Sequence, residues 1–221
     1  MLRFFSKFKY LAITLFILSA IIITLFYNAL KPREILPIYQ PSMVKTELVD
    51  STIQYVKKYH TIADFKLINQ NGDTITQEDY KDKIYIADFF FTTCPSICPI
   101  MTDNMADIQK EIMPYQDVML LSHSVTPEID SVPQLKKYAR EKGVNDKKWN
   151  LVTGDKKQIY ELARKSYLAV LDDGDGGPYD MIHTENFILV DKKRRIRGFY
   201  DGTNKEDMEK LLHDVKVLKS E

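Results

Sequence analysis

Strand-like apolar runs alternate with helix-like segments through most of this 221-residue chain, behind one long apolar N-terminal stretch. That pattern predicts an α/β fold carried behind a transmembrane helix. Three observations support it. No charge occurs from Tyr10 through Leu30. The runs Ile84 to Phe91 and Val118 to Val125 read as strands buried on both faces of a sheet, the first broken only by Asp88. Between them Met101, Met105, Ile108 and Ile112 recur at helical spacing.

The apolar N-terminal run is long enough, at 1.5 Å per residue, to cross about 30 Å of hydrocarbon. A cleaved signal peptide is the competing reading, but its apolar core is normally shorter, and Leu18-Ser19-Ala20 lies inside the run. Arg3, Lys7 and Lys9 precede the run and favour a cytoplasmic N-terminus, although Lys31 and Arg33 soften the contrast. The expected organisation is a cytoplasmic segment at 1–9, a single membrane anchor at 10–30, a linker at 31–60 and a folded domain at 61–221. The domain would then lie on the periplasmic side of an inner membrane. Pro32, Pro37 and Pro41 suit a semi-rigid tether, and Lys45 to Tyr59 could form a short helix. Composition (44% hydrophobic, 28% charged) excludes a disordered chain. The 31 basic residues balance the 31 acidic ones. Beyond residue 40 the balance is mildly acidic, so no nucleic-acid partner is expected.

Within the domain, Ile62 to Ile68 and Thr74 to Thr76 flank Asn71-Gly72-Asp73 and predict a hairpin. After the strand at Ile84 and the helix carrying Met101 comes the strand Val118 to Val125. A helix marked by Val132, Leu135 and Ala139 ends at Gly143, a good C-terminal cap. Trp149 to Val152 is a short strand, and Asp155 caps a helix bearing Ile159, Leu162 and Ala163. Phe187 to Val190 and Ile196 to Tyr200 form a second hairpin around Asp191-Lys192-Lys193-Arg194. Met208, Leu211, Leu212, Val215 and Leu218 line one face of a final helix. Alternating units with a closing antiparallel hairpin and helix describe a thioredoxin-like fold with an extra N-terminal β-hairpin.

The only two cysteines share the segment Thr92-Thr93-Cys94-Pro95-Ser96-Ile97-Cys98-Pro99, where a buried strand becomes a helix. Ligands of open α/β sheets bind at such strand ends. With Ser96 as N-cap, Pro99 falls at N3, where its missing N–H is not needed, and Cys98 falls at N2. Both thiols then sit near the positive end of a helix dipole, which favours thiolate. Cys-x3-Cys spacing permits a disulfide or a shared soft metal. Zinc and iron–sulfur sites ordinarily want four ligands, and copper is at home with fewer. Inert packing and a structural disulfide are the plainer alternatives. His183, between the Gly/Asp-rich stretch Asp172 to Pro178 and the strand at Phe187, is the candidate third ligand. His123 follows Leu121 in the second buried strand and reads first as a hydrogen-bonded core or rim histidine. His60 and His213 read as solvated or surface groups. The acids at Asp172, Asp173 and Asp175 do not follow a calcium-loop order and read as a solvated loop.

At these residues the chain resembles the Sco/SenC family of membrane-tethered copper chaperones for cytochrome c oxidase. The matching pieces are Asp88 through Pro99, Ser124-Val125-Thr126-Pro127-Glu128, Trp149 through Gly154, and His183-Thr184 leading into Phe187 to Asp191. The resemblance implies a thioredoxin-like domain that binds one copper, as Cu(I) or Cu(II), through Cys94, Cys98 and His183. It also implies delivery of that copper to, or reduction of cysteines at, the oxidase's binuclear copper centre, with an oxidase subunit or another copper chaperone as partner. Such a protein is a metallochaperone rather than an enzyme. Ser96, Thr126 and Ile182 stand where the family often carries acidic residues. Two rival functions remain at this level. One is a metal-free thiol–disulfide oxidoreductase using Cys94 and Cys98 as its redox pair. The other is a non-catalytic tethered interaction domain.

Overall fold

The computed structural model describes residues 2–30, 32, 34–44, 60–170 and 181–221. The expected helix over Lys45 to Tyr59 and the acidic stretch Asp172 to Pro178 lie outside the described residues. The chain divides into two units, Met1–Ile35 and Leu36–Glu221.

The first unit is the helix α1 (Leu2–Leu30), of which Phe8–Leu30 is long and apolar enough to cross a membrane. Two of its threonine hydroxyls turn back onto the helix. Thr14 Oγ1 donates to the Leu11 carbonyl and Thr24 Oγ1 to the Ala20 carbonyl, both at 2.8 Å. No side-chain donor of these threonines is thus left to face hydrocarbon unpaired.

The second unit is built on a seven-stranded sheet: β1 (Lys66–Asn69), β2 (Thr74–Thr76), β3 (Ile84–Phe90), β4 (Val118–Ser124), β5 (Trp149–Thr153), β6 (Asn186–Val190) and β7 (Ile196–Asp201). The spatial order is β2-β1-β5-β4-β3-β6-β7. The β3–β4 and β4–β5 pairs are parallel and the others antiparallel. Helices α2 (Ile97–Ile112), α3 (Val132–Glu141), α4 (Lys156–Glu161) and α5 (Lys205–Ser220) supply the crossovers and the close. This is the order the sequence predicts, and it is a thioredoxin-like fold preceded by an antiparallel hairpin.

Every residue of β3 and β4 is buried, as expected of central strands covered on both faces. Alternation sorts their side chains into two layers. Ile84, Ile86 and Phe90 pack with Met101, Met105 and Ile108 of α2, Leu135 of α3 and Leu211 and Val215 of α5. Tyr85, Ala87 and Phe89 pack with Phe65, Tyr80, Ile159 and Tyr167 on the other side. Gly143 takes the left-handed φ of +70° just past α3, which a residue with a Cβ adopts at a cost.

Local boundaries moved where tertiary bonds displaced ladder bonds. The expected strand from Ile62 begins only at Lys66. Ile62 is fully buried, but its N–H donates to the Arg194 carbonyl at 2.8 Å instead of entering the sheet. Asp155 caps α4 as expected, accepting the Gln158 N–H at 2.8 Å. The α-helical pattern then stops at Glu161, and a π-helical turn, Leu162–Ser166, follows.

The segment from Leu36 docks on the domain. Buried Arg197 donates to the carbonyls of Leu36 (2.7 Å) and Pro37 (3.0 Å) while ion-pairing with Asp191 (3.0 Å) and Glu221 (2.7 Å). Tyr39 adds a backbone bond to Ile196 at 2.9 Å.

Candidate metal centre

The two thiols meet because β3 ends one loop before α2 begins. Ser96 is the N-cap residue of α2, Cys98 is at N2 and Pro99 at N3, as the proline spacing predicts. The Ser96 hydroxyl makes no cap bond; it lies 3.9 Å from the Cys94 sulfur. Cys94 Sγ itself receives the otherwise unpartnered N–H of Cys98 at 3.5 Å. A sulfur thus occupies the place of a capping oxygen, at the electropositive end of a four-turn helix.

That geometry separates the two thiols chemically. Both are free and buried. Burial works to raise the Cys94 pKa, but the N–H groups of Ser96 and Cys98 outweigh it and leave Cys94 below the ordinary thiol range. Burial pushes Cys98 up to about 12, reinforced by its neighbour Cys94 and by Asp88, against an opposing bond from the Phe91 backbone. Cys94, at the helix end, is the more acidic of the two thiols, and Cys98, beneath it, the less acidic.

The loop is held by a single acid. Fully buried Asp130 accepts from Thr92 N (3.2 Å), Thr92 Oγ1 (2.5 Å), Ser124 Oγ (2.6 Å) and Thr126 Oγ1 (3.1 Å). It therefore ties the Cys loop to the end of β4. Gln134 of α3 also reaches Thr92 Oγ1, at 3.0 Å. On the far side Thr102 donates to the Cys98 carbonyl (2.7 Å) and pairs with the Tyr138 hydroxyl (2.8 Å).

His183 is exposed and lies edge-on to Phe91, with ring centroids 6.2 Å apart. Phe91 also accepts the Cys94 N–H through its carbonyl, at 3.3 Å. The imidazole and the thiols are thus neighbours of one residue. The two sulfurs and a ring nitrogen of His183 do not all lie within 4.8 Å of one another in this conformation.

The other histidines stand apart. His213 is exposed and bonds Asp214 at 3.1 Å. His60 is half-buried, its Nε2 2.8 Å from the Ser166 carbonyl. His123 lies in the layer opposite the thiols, stacked on Phe89 at 4.8 Å, with Nδ1 3.2 Å from the Asp88 carbonyl and Nε2 unpartnered.

Two buried titratable groups, Asp88 and His123, bear on stability. Asp88, whose Oδ1 has no partner, projects from β3 into the thiol layer. Burial raises its carboxyl to about 7, against a Ser122 bond that lowers it. Burial likewise lowers His123 to about 4, against a bond from Asp88 that raises it. The two have opposite consequences for stability. His123, depressed from 6.5, contributes stability that is present above pH 6.5 and lost as pH falls toward 4. Asp88, raised from 3.8, contributes stability that is present below pH 3.8 and lost as pH rises toward 7. Between pH 4 and 6.5 they offset each other. Urea midpoints should therefore fall on acidification in Asp88→Asn and fall on alkalinisation in His123→Phe. The change should reach about 3–4 kcal/mol in each variant, with a flatter profile in the unmodified protein.

A cap-like sulfur, a buried second thiol and a nearby imidazole on a thioredoxin-like sheet suit dithiol redox or soft-metal chemistry. The SCO1/SenC family model matches residues 54–219, and the chain belongs to that family. It is 34% identical over 159 residues to the SCO1 protein homolog of Bacillus subtilis, covering 71% of this chain and 82% of that one. It is similar to the solved structure of BsSco, "a member of the Sco family of cytochrome c oxidase assembly proteins" that carries a disulfide switch. The TM-score there is 0.62 with 33% identity, covering 72% of this chain and 93% of that chain. It is also similar to copper-bound ScoI of Arabidopsis thaliana, with a TM-score of 0.57 and 26% identity, covering 74% of this chain and all (100%) of that chain.

Proposed function

We propose that this chain is a membrane-anchored copper carrier acting in cytochrome c oxidase assembly. Its Cys94 and Cys98 thiolates hold one copper and His183 completes the site. The observation that carries this reading is the pair of free thiols at the N-terminus of α2, linked by the Cys98 N–H to Cys94 Sγ contact. Two soft sulfurs on one helical turn suit Cu(I). Copper would be loaded and released by ligand exchange with thiols of a donor or of the receiving oxidase subunit. Arg3, Lys7 and Lys9, ahead of the apolar run in α1, favour a body on the outer, periplasmic face of the inner membrane.

The split thiol pKa values favour a second, compatible activity. A Cys94 thiolate can attack a partner disulfide, after which Cys98 resolves the mixed disulfide. The partner leaves as two thiols and Cys94–Cys98 becomes the disulfide. This would reduce the receiving cysteines before metal is passed.

Copper titration of the full chain in detergent tests the carrier reading. One copper per chain is expected. Cys94→Ser or Cys98→Ser should abolish it, and His183→Ala should weaken it by about tenfold or more, the scale of losing one coordinating contact. Unchanged binding in all three variants would overturn the reading.

A further inference from the structure

The His183 segment carries a second soft atom. From Met181 to Glu185, burial alternates strictly: Met181, His183 and Glu185 are exposed, and Ile182 and Thr184 are buried. Ile182 is 4% exposed among the layer of Phe65 and Tyr167, and Thr184 Oγ1 donates to the Ala169 carbonyl at 2.9 Å. These two anchors fix the period-two pattern of an extended chain, so the side chains of Met181 and His183 leave the same side. Their Cα atoms are then about 6.6 Å apart, close enough for a long thioether and an imidazole to converge on one ion.

Met181 is 44% exposed, although its side chain gains nothing from water. Methionine ordinarily fills core gaps, as Met101 and Met105 do here at 0% exposure. Burying it beside Ile182 would break the alternation that presents His183. The hard Glu185 carboxylate on the same side is a poor ligand for a soft monovalent ion, whereas a thioether suits one.

We propose that Met181 and His183 form a thioether–imidazole station for Cu(I) at the lip of the site. The station takes up the ion before the thiols do and holds it during exchange. The proposal rests on the carrier reading above. It accounts for a ligand histidine that stands off the sulfurs in this conformation, because the station binds the ion while His183 is away from them. The metal moves by ligand exchange without change of oxidation state. The Cys98 proton passes to solvent as its thiolate replaces the thioether.

The test uses the full chain in detergent, labelled at the methionine methyls, with Ag(I) as a redox-inert stand-in for Cu(I). In Cys94→Ser/Cys98→Ser protein the first equivalent of Ag(I) should shift the Met181 methyl and the His183 ring together. The exposed Met43 and Met113 should stay in place, and His183→Ala should weaken the Met181 response by about tenfold. The Met101 and Met105 methyls report whether the variant is folded. If it is not, the same responses are sought in Cys94→Ala/Cys98→Ala protein, and the Met181→Leu uptake rate in otherwise unmodified protein decides. In copper loading, Met181→Leu keeps the apolar surface and should slow uptake several-fold with the final stoichiometry unchanged. A Met181 methyl that moves no more than Met43 and Met113 overturns the station. Failure of the carrier reading itself looks different: the unmodified and Cys-to-Ser proteins would then titrate identically.

Discussion

Asp130→Ala should destabilise the domain by about 3–5 kcal/mol and weaken copper binding with it. The carboxylate takes four hydrogen bonds, from Thr92 N, Thr92 Oγ1, Ser124 Oγ and Thr126 Oγ1, and is itself fully buried. Alanine leaves these donors facing one another without an acceptor. Each unsatisfied buried group costs roughly 1–3 kcal/mol, partly relieved where a hydroxyl turns to a new partner or water enters. The functional effect follows from position. Thr92 lies two residues before Cys94, and releasing it frees the loop that sets the Cys94 sulfur against the Cys98 N–H. Asp130→Asn keeps one acceptor oxygen and should cost less, about 1–2 kcal/mol. Urea unfolding and copper titration of the two variants check this. Native stability in Asp130→Ala would show that the network is replaceable by water.

The two thiols should differ in alkylation rate by at least about a hundredfold at pH 7, with Cys94 the faster. Only the thiolate reacts. With burial pushing Cys98 up to about 12, its thiolate fraction at pH 7 is about one in 100,000, whereas amide donors lower the Cys94 pKa. Access adds to the contrast, since Cys98 lies beneath Cys94 in the α2 layer. Mass spectrometry of peptides after a timed iodoacetamide pulse reads both sites in one sample. Equal labelling of Cys94 and Cys98 would mean that the helix N-terminus does not distinguish them. Bound copper should protect both.

The central features of the fold are legible because they rest on local patterns. Ile84 to Phe90 and Val118 to Ser124 read as buried strands because no polar face interrupts them, and the start of α2 follows from where Pro99 can be tolerated. Asp155 and Gly143 mark helix ends by short-range chemistry. The Asp130 clamp was not legible, since its donors come from the Cys loop and the end of β4, which meet only once β3 and β4 pair. Arg197 is hidden in the same way: its partners lie at Leu36, Asp191 and Glu221. His123 reads from the sequence as a core or rim histidine. Period-two counting from Leu121 assigns it to the opposite layer, where the structure places it. Asp88 was visible as the lone charge in an apolar run, and its lack of a partner for Oδ1 appears only with the packing around it. The departures at Thr126 and Ser96 also gain a physical account. Thr126 donates to Asp130, and the Ser96 hydroxyl leans toward the Cys94 sulfur.

X-ray absorption at the copper edge tests the central claim most directly, on full-length protein loaded with one equivalent of Cu(I). Two sulfur ligands and one imidazole nitrogen are expected. The nitrogen should be lost in His183→Ala, and the site with two sulfur ligands should be absent from Cys94→Ser and from Cys98→Ser. A spectrum without sulfur, or one that Cys94→Ser and Cys98→Ser leave unchanged, would contradict it.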